Sequence, residues 1–473
     1  MVKSRIFLIP GLLLAVLTLC ACLLGIPAYR DAHVPETEIA AQPEVTRLDL
    51  SGKPVEDLSA LRQHSRLEWL DLRGSGLTVA QYKTLRRWFP DCEILWDVPF
   101  QGQFYSPDLR ELTIESLTET DIARLTYFPK LKRVLARNCS DYEMLARLRA
   151  ERPELDVVYG ISLGGRTFSR EVKQLTVPAD WAQELSRVIP WFENLEAVTL
   201  TDCWGKLETA EVLREAFPEL EITWRFAFKG LALNEFTETL DLTGIPMTVA
   251  ETEELLTYLP HLTYVDMTDC GISNEEMEEM NLRHEDVKIV WTVRLGGWFR
   301  IRTDATWFMP VKYDYYPEGN ELENLKYCHD IIALDIGHMD IYSCEFVAYM
   351  PKLKYLLMAD TKISDLTPLT GLEELVYLEL FLTHVTDCTP LLTLTNLEDL
   401  NLCYTVGDPV TISQMTWLKN LWWTKCWGPY ILEQSLTETH LEFNSPSSTG
   451  NGWRELPNYY AQRDIFGMRY MKG

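Results

Sequence analysis

Apolar residues along this chain fall in short alternating bursts rather than in long helical stripes. Leu353-Lys-Tyr-Leu356-Leu-Met358, Leu375-Val-Tyr-Leu378-Glu-Leu380 and Leu397-Glu-Asp-Leu400-Asn-Leu402 share one order of apolar and polar positions, and the step from 356 to 378 to 400 is 22 residues each time. Alternation over four to six residues predicts a short strand with one buried face. The connecting stretches ISDLTPLTGLEE (363–374) and VTDCTPLLTLTN (385–396) echo one another as well. A constant period means that each unit is one small element that buries its leucines only by stacking on its neighbours.

The burst recurs through most of the sequence, at Leu48/Leu50, Leu70/Leu72, Leu112/Ile114, Val134/Ala136, Leu175/Val177, Val198/Leu200, Leu240/Leu242, Val265/Met267, Leu334/Ile336, Leu421/Trp423 and Leu441/Phe443. A longer period overlies the N-terminal part. ILWDVPFQGQF (94–104), VVYGISLGGRTF (157–168), ITWRFAFKGLAL (222–233) and IVWTVRLGGWF (289–299) place Trp96, Tyr159, Trp224 and Trp291 at steps of 63, 65 and 67 residues. Each reads as a longer strand that closes a module and returns as a hairpin at Gln-Gly, Gly-Gly or Lys-Gly. Periodic stretches such as ETAEVLREAF (208–217) and AETEELLTYL (250–259) predict an outer helical layer.

The recurring L-x-x-L-x-L-x-x-N/C pattern resembles the leucine-rich repeat family, in the 22-residue bacterial form of internalin-like proteins and exported Gram-positive repeat proteins. The resemblance implies an α/β solenoid: a curved leucine-rich repeat array with parallel β-strands on the concave face and helices or turns on the convex face. The expected organisation is a signal, anchor or lipoprotein segment over 1–28 and a polar tether over 29–44. N-terminal modules with the ~65-residue super-repeat occupy 45–300, a connector 301–331, and C-terminal 22-residue repeats 332–443. A linker with an aromatic, basic tail or cap covers 444–473. The sequence departs from internalins in lacking an LPxTG motif and in placing Thr or Cys where the ladder asparagine is usual.

That ninth position turns inward where the chain leaves the strand, and a small donor there can bond open backbone. Cys139, Cys203, Cys270 and Cys426 occupy it, as do Thr361, Thr383 and Thr405. Cys344 and Cys388 fall at a buried position two strands apart, about 10 Å at ~4.8 Å per strand, too far for a disulfide. The cysteines are therefore expected to be free and structural.

Charge narrows the partners. Forty-four Lys and Arg against 70 Asp and Glu leave a formal charge of −26, which repels phosphate backbones and argues against nucleic acid. Lys3 and Arg5 precede an apolar run from Ile6 to Pro27, an export signal by its positive flank. The run is long enough for an uncleaved anchor, while Leu19-Cys20-Ala21-Cys22 resembles a bacterial lipobox with Cys22 as the lipidation candidate. Either route, or simple cleavage, puts the chain outside the cytoplasm, and the first two tether it to the cell membrane.

Candidate chemistry is sparse. Cys328-His329-Asp330 with His338, Asp340 and Cys344 gathers metal-ligand types, but the spacing fits no zinc pattern, and no metal or cofactor is expected. No GxSxG, HExxH, P-loop or GxGxxG occurs, so no catalytic residue is assigned and the expectation is a non-enzyme. Glu275, Glu276, Glu278 and Glu279 read as the solvated face of a helix. Positions three and five of each repeat flank the inward leucines and point to the concave side. There Tyr355, Tyr377, Glu379, Asp399, Asn401 and Trp422 form the expected ligand-binding patch, since exposed Tyr and Trp dominate binding hot spots. The isolated aspartates at position five, Asp49, Asp71, Asp241, Asp266 and Asp335, read as solvated strand surface. An aromatic and acidic patch suits a protein or glycan ligand, cationic or extended. The expected function is an adhesion or recognition scaffold; a cell-envelope enzyme acting on glycan and a structural spacer are the alternatives.

Overall fold

The computed structural model describes residues 45–468 apart from 56 and 451. The segment 1–28, Cys22 and the tether 29–44 lie outside the described residues. No described helix is long and apolar enough to cross a membrane. The chain divides into two compact units, one of residues 45–172 with 187–194 and the other of 173–186 with 195–468.

The first unit holds two parallel three-stranded sheets, Arg47–Asp49, Trp69–Asp71 and Glu93–Leu95, then Glu111–Thr113, Arg133–Leu135 and Asp156–Val158. Each sheet ends in an antiparallel hairpin, Val98–Phe100 with Gln103–Tyr105 and Ile161–Leu163 with Arg166–Phe168. The hairpins turn at Gln101-Gly102 and Gly164-Gly165, where all four φ angles are positive, the backbone that two-residue turns between twisted strands require. The second unit repeats the module twice, with sheets Gln174–Pro178, Ala197–Thr201, Glu221–Phe228 and Thr239–Asp241, Tyr264–Asp266, Lys288–Val290. Helices Leu207–Ala216, Val249–Thr257 and Asn274–Arg283 back them.

The C-terminal repeats form one seven-stranded parallel sheet: Trp307–Phe308, Ala333–Asp335, Tyr355–Leu357, Tyr377–Glu379, Asp399–Asn401, Asn420–Trp422 and His440–Glu442. Its register aligns Leu334, Leu356, Leu378, Leu400, Leu421 and Leu441 in one row. The first five of these leucines are fully buried. Residues 301–331 are thus no connector, because Trp307–Phe308 is the first strand of this sheet and pairs with Ala333–Leu334. The sequence shows no leucine pair there, so the strand escapes a search for leucines.

Two features of the repeat explain why so many different residues serve it. Position eight adopts the left-handed conformation at Asp202, Asp269, His338, Asp360, Leu382, Tyr404 and Lys425. Its amide then bonds the next repeat, as Leu382 N does to Cys403 O at 3.0 Å and Asp360 N to Phe381 O at 2.8 Å. Position nine bonds back to position six: Thr361, Thr383 and Thr405 donate to the carbonyls of Met358, Leu380 and Leu402 at 2.8, 2.6 and 2.7 Å. Cys426 Sγ reaches the Leu402 carbonyl of the preceding repeat at 3.0 Å, and Cys270 Sγ that of Leu242 at 3.2 Å. All nine described cysteines are free, and burial pushes the Cys344 thiol up to about 12.

The position-five aspartates are more than solvated surface. Oδ1 of Asp49, Asp71, Asp241, Asp266 and Asp335 accepts the amide two residues on, at 2.9 to 3.1 Å. This Asx turn closes the strand end, the local bonding that Asp and Asn offer.

Candidate functional site

The six residues expected on an exposed patch do come together, in the register expected for them. Tyr355, Tyr377, Asp399 and Asn420 form one row across adjacent strands; Leu357, Glu379, Asn401 and Trp422 form the next. Their exposure is the correction. Tyr377, Glu379, Asp399, Asn401 and Trp422 are buried, with Tyr377 and Asn401 at 0%, and only Tyr355 keeps partial access. What covers them is the C-terminal segment of the same chain.

That segment retraces the sheet from its last strands to its first. After the final strand, Asn401 Nδ2 donates to the Ser448 carbonyl at 2.7 Å and Trp422 Nε1 to the Gly450 carbonyl at 3.1 Å. Trp453 follows, fully buried, its ring centroid 5.0 Å from both Tyr377 and Trp422. Its Nε1 donates to Glu379 Oε1 at 3.0 Å, and the Tyr377 hydroxyl donates to the same oxygen. Next comes a helix, Pro457–Ile465, with Asn458 donating to Glu398 at 3.2 Å. Phe466 ends the path edge-on to Trp307 with centroids 5.9 Å apart, and its carbonyl accepts from Lys312 Nζ. Ala333, Leu357, Ala359, Phe381 and Cys403 complete the apolar floor.

The electrostatics of this face follow from its dryness. Burial raises the Glu379 carboxyl to about 7, against the Tyr377 and Trp453 donors, which favour the anion. Burial likewise raises Asp335 to about 6, and Asp399 above the usual carboxylate range. The bonding is also incomplete. Gln462 on the tail helix is fully buried, yet among the described residues neither amide atom has a partner, and Asp399 Oδ2 has none.

The tail was expected as a linker with a tail or cap at the end of the array, and the structure lays it instead across the strand face. Its signal was present in spacing: Trp453, Leu456, Tyr459, Gln462 and Phe466 lie three or four residues apart, one face of a helix. A second signal was Leu357 and Trp422 on a face assigned to solvent.

The metal-type cluster does not assemble. Cys328 and Cys344 are buried, His338 Nδ1 pairs with Asp360 at 2.9 Å, and Asp340 pairs with Lys362. Among the described residues no group of three or more His, Cys, Asp or Glu could hold a metal ion. His329 instead bonds Glu278 at 2.8 Å, which raises its imidazole above the ordinary value, and Tyr327 bonds Glu275 at 3.0 Å. Two of the four helix glutamates therefore tie the helix to the following repeat. A polar cavity of about 410 Å³ beside them is lined by His284, Lys288, His329, Asp330 and Lys352. Asp330 accepts from both lysines, Lys352 at 2.6 Å.

No protein-family model matches this chain, and no curated protein does. Among solved structures, an internalin from Listeria monocytogenes aligns over 87% of this chain and 89% of its own at 15% identity, with a TM-score of 0.27. A leucine-rich repeat protein from Leptospira interrogans aligns over 92% and 97% at 16% identity and a TM-score of 0.24. The functional domain of InlJ from Listeria monocytogenes, described as including a cysteine ladder, covers 88% of this chain and 58% of its own at 11% identity and a TM-score of 0.21. Similarity at this level assigns no ligand and no activity. The fold rests on the strand register and the turn geometry above.

Proposed function

We propose that this protein is a recognition scaffold, tethered to the outer side of the cell membrane by its N-terminal segment, that binds a polypeptide rather than transforming a substrate. One observation carries the reading: the strand face of the C-terminal repeats already holds a polypeptide, by stacked rings, an indole-to-carboxylate bond and side-chain bonds to main-chain carbonyls. Such a surface uses the chemistry of peptide recognition, large rigid aromatic contacts around a few placed polar groups. The acidic character of the face favours a cationic partner. Membrane tethering rests on the apolar run Ile6–Pro27 behind Lys3 and Arg5.

The test is photo-crosslinking of the full chain in intact cells, with the crosslinker placed at Tyr355, the one site residue that retains access. A protein adduct that disappears when the label is moved to the helix-backed side supports the reading. Hydrolysis of cell-wall glycan by the purified chain, with no protein adduct, overturns it. Lipid labelling that is lost on Cys22→Ala identifies a lipoprotein; membrane retention without labelling identifies an uncleaved anchor, and recovery only in the medium rejects both.

A further inference from the structure

The tail lies on the face that a partner would need. We propose that residues 445–468 are an intramolecular ligand, and that the strand face beneath them is a docking groove for a partner peptide of the same chemistry, an indole followed by a short amphipathic helix that carries a basic residue. The inference rests on the recognition reading and names both the occupant and the gate.

Three observations carry it. First, the contacts are those of a bound peptide. The segment after the last strand, NSPSSTGNG (444–452), leads into one anchor, Trp453, then a single nine-residue helix and a second anchor, Phe466. Both anchors are fully buried against side chains of the sheet's solvent-side rows, not against the leucine core. Second, the groove presents Asp335, Glu379 and Asp399, and the tail carries Arg454 and Arg463 alongside its own Glu455 and Asp464. Third, the fit is imperfect at its centre. Gln462 lies fully buried with neither amide atom bonded among the described residues, and Asp399 Oδ2 is unpaired beneath the same segment. Each buried polar group without a partner opposes the seating, so a peptide with an apolar side chain in place of Gln462 fits better than the chain's own tail. The groups that set the charge balance are Asp335, Glu379, Glu398, Asp399 and Tyr377 on the sheet, and Arg454, Glu455, Tyr459, Arg463 and Asp464 on the tail. Lys312 binds the Phe466 carbonyl.

A tail joined directly to the last strand acts at an effective concentration on the order of millimolar, so an outside peptide at micromolar concentration loses to it unless the tail is weakened. The probe is therefore a fluorescein-labelled synthetic peptide of residues 447–468, read by fluorescence polarisation. The targets are the full chain, the full chain with Trp453→Ala, and the full chain cut at a protease site inserted between Asn444 and Ser448. The expected result is binding to the Trp453→Ala chain at least tenfold tighter than to wild type. The cut chain should exchange its tail for the probe, and a probe with Gln462→Leu should exchange at lower concentration. Adding Glu379→Ala to the Trp453→Ala chain should weaken the probe again. Absence of probe binding to both the Trp453→Ala and the cut chain, with unchanged circular dichroism, overturns the proposal. So does a cut chain that releases its tail only on unfolding. Were Trp453→Ala not to fold, the cut chain decides alone. Equal crosslinking of a cellular partner to wild type and Trp453→Ala would leave the recognition reading in place and remove the gate.

Discussion

Glu379 is the group whose titration should be felt most by the tail. Its carboxyl is buried beneath Trp453, and its pKa stands at about 7 against an ordinary 4.5. Raising a carboxyl by that interval corresponds to about 3 kcal/mol at ~1.36 kcal/mol per pH unit. The sign follows from which state holds the proton. Below pH 4.5 the carboxyl is protonated whether the tail is seated or lifted, and pH has no leverage. Between 4.5 and 7 the lifted state, open to water, is ionised while the seated state keeps its proton, so seating weakens as pH rises. Above 7 both are ionised and the loss is complete. Asp335, raised from 3.8 to about 6, acts in the same direction over a lower window. Seating should therefore be tightest below about pH 4 and weakest above 7.

Glu379→Gln tests this directly, because the amide retains an oxygen for the Trp453 indole and carries no charge. Amide hydrogen exchange over the helix Pro457–Ile465, corrected for the intrinsic pH dependence of the chemistry, reads the opening free energy. At pH 8 the variant should be more protected than wild type by up to about 300-fold, the equivalent of ~3 kcal/mol. Near pH 4.5 the two should coincide, and the variant should keep the slope due to Asp335 and Asp399. Equal protection at pH 8, or wild-type protection that grows with pH, would refute the reasoning.

Trp453→Ala removes the largest buried ring of the tail and should cost about 3–5 kcal/mol of tail docking, seen as rapid proteolysis within 453–468 while the repeats stay intact. Leu382 holds the left-handed position of its repeat at φ 59 with its side chain 44% exposed. Leu382→Asn should stabilise by about 1 kcal/mol, measured as a raised midpoint of thermal unfolding. Reducing agent should leave that midpoint unchanged, since all nine described cysteines are free. A drop on the scale of a lost disulfide, ~2–4 kcal/mol, would contradict the structure.

The strand register was legible in the sequence because side chains alternate with a period of two and the repeat has a constant length. Leu356, Leu378 and Leu400 at 22-residue steps can share a core only if their strands pair in parallel and in register. The hairpins were legible for a similar reason: two successive positive φ angles call for Gly at one or both positions, as in Gly164-Gly165 and Lys229-Gly230. The juxtaposition of Tyr377, Glu379, Asp399, Asn401 and Trp422 followed from the same arithmetic. Their burial did not. Whether a strand face meets water depends on what else in the chain lies on it, and Trp453 contacts Glu379 across 74 residues of sequence. No local period records a contact of that range. Nor does a residue type disclose its ionisation: Asp71 and Asp335 hold the same position in the repeat, but Arg73 holds the Asp71 carboxyl below the ordinary range while burial raises that of Asp335. The repeat fixed which side chains stand side by side. Only the return of the tail across the sheet decided that they are dry, partly protonated and already occupied.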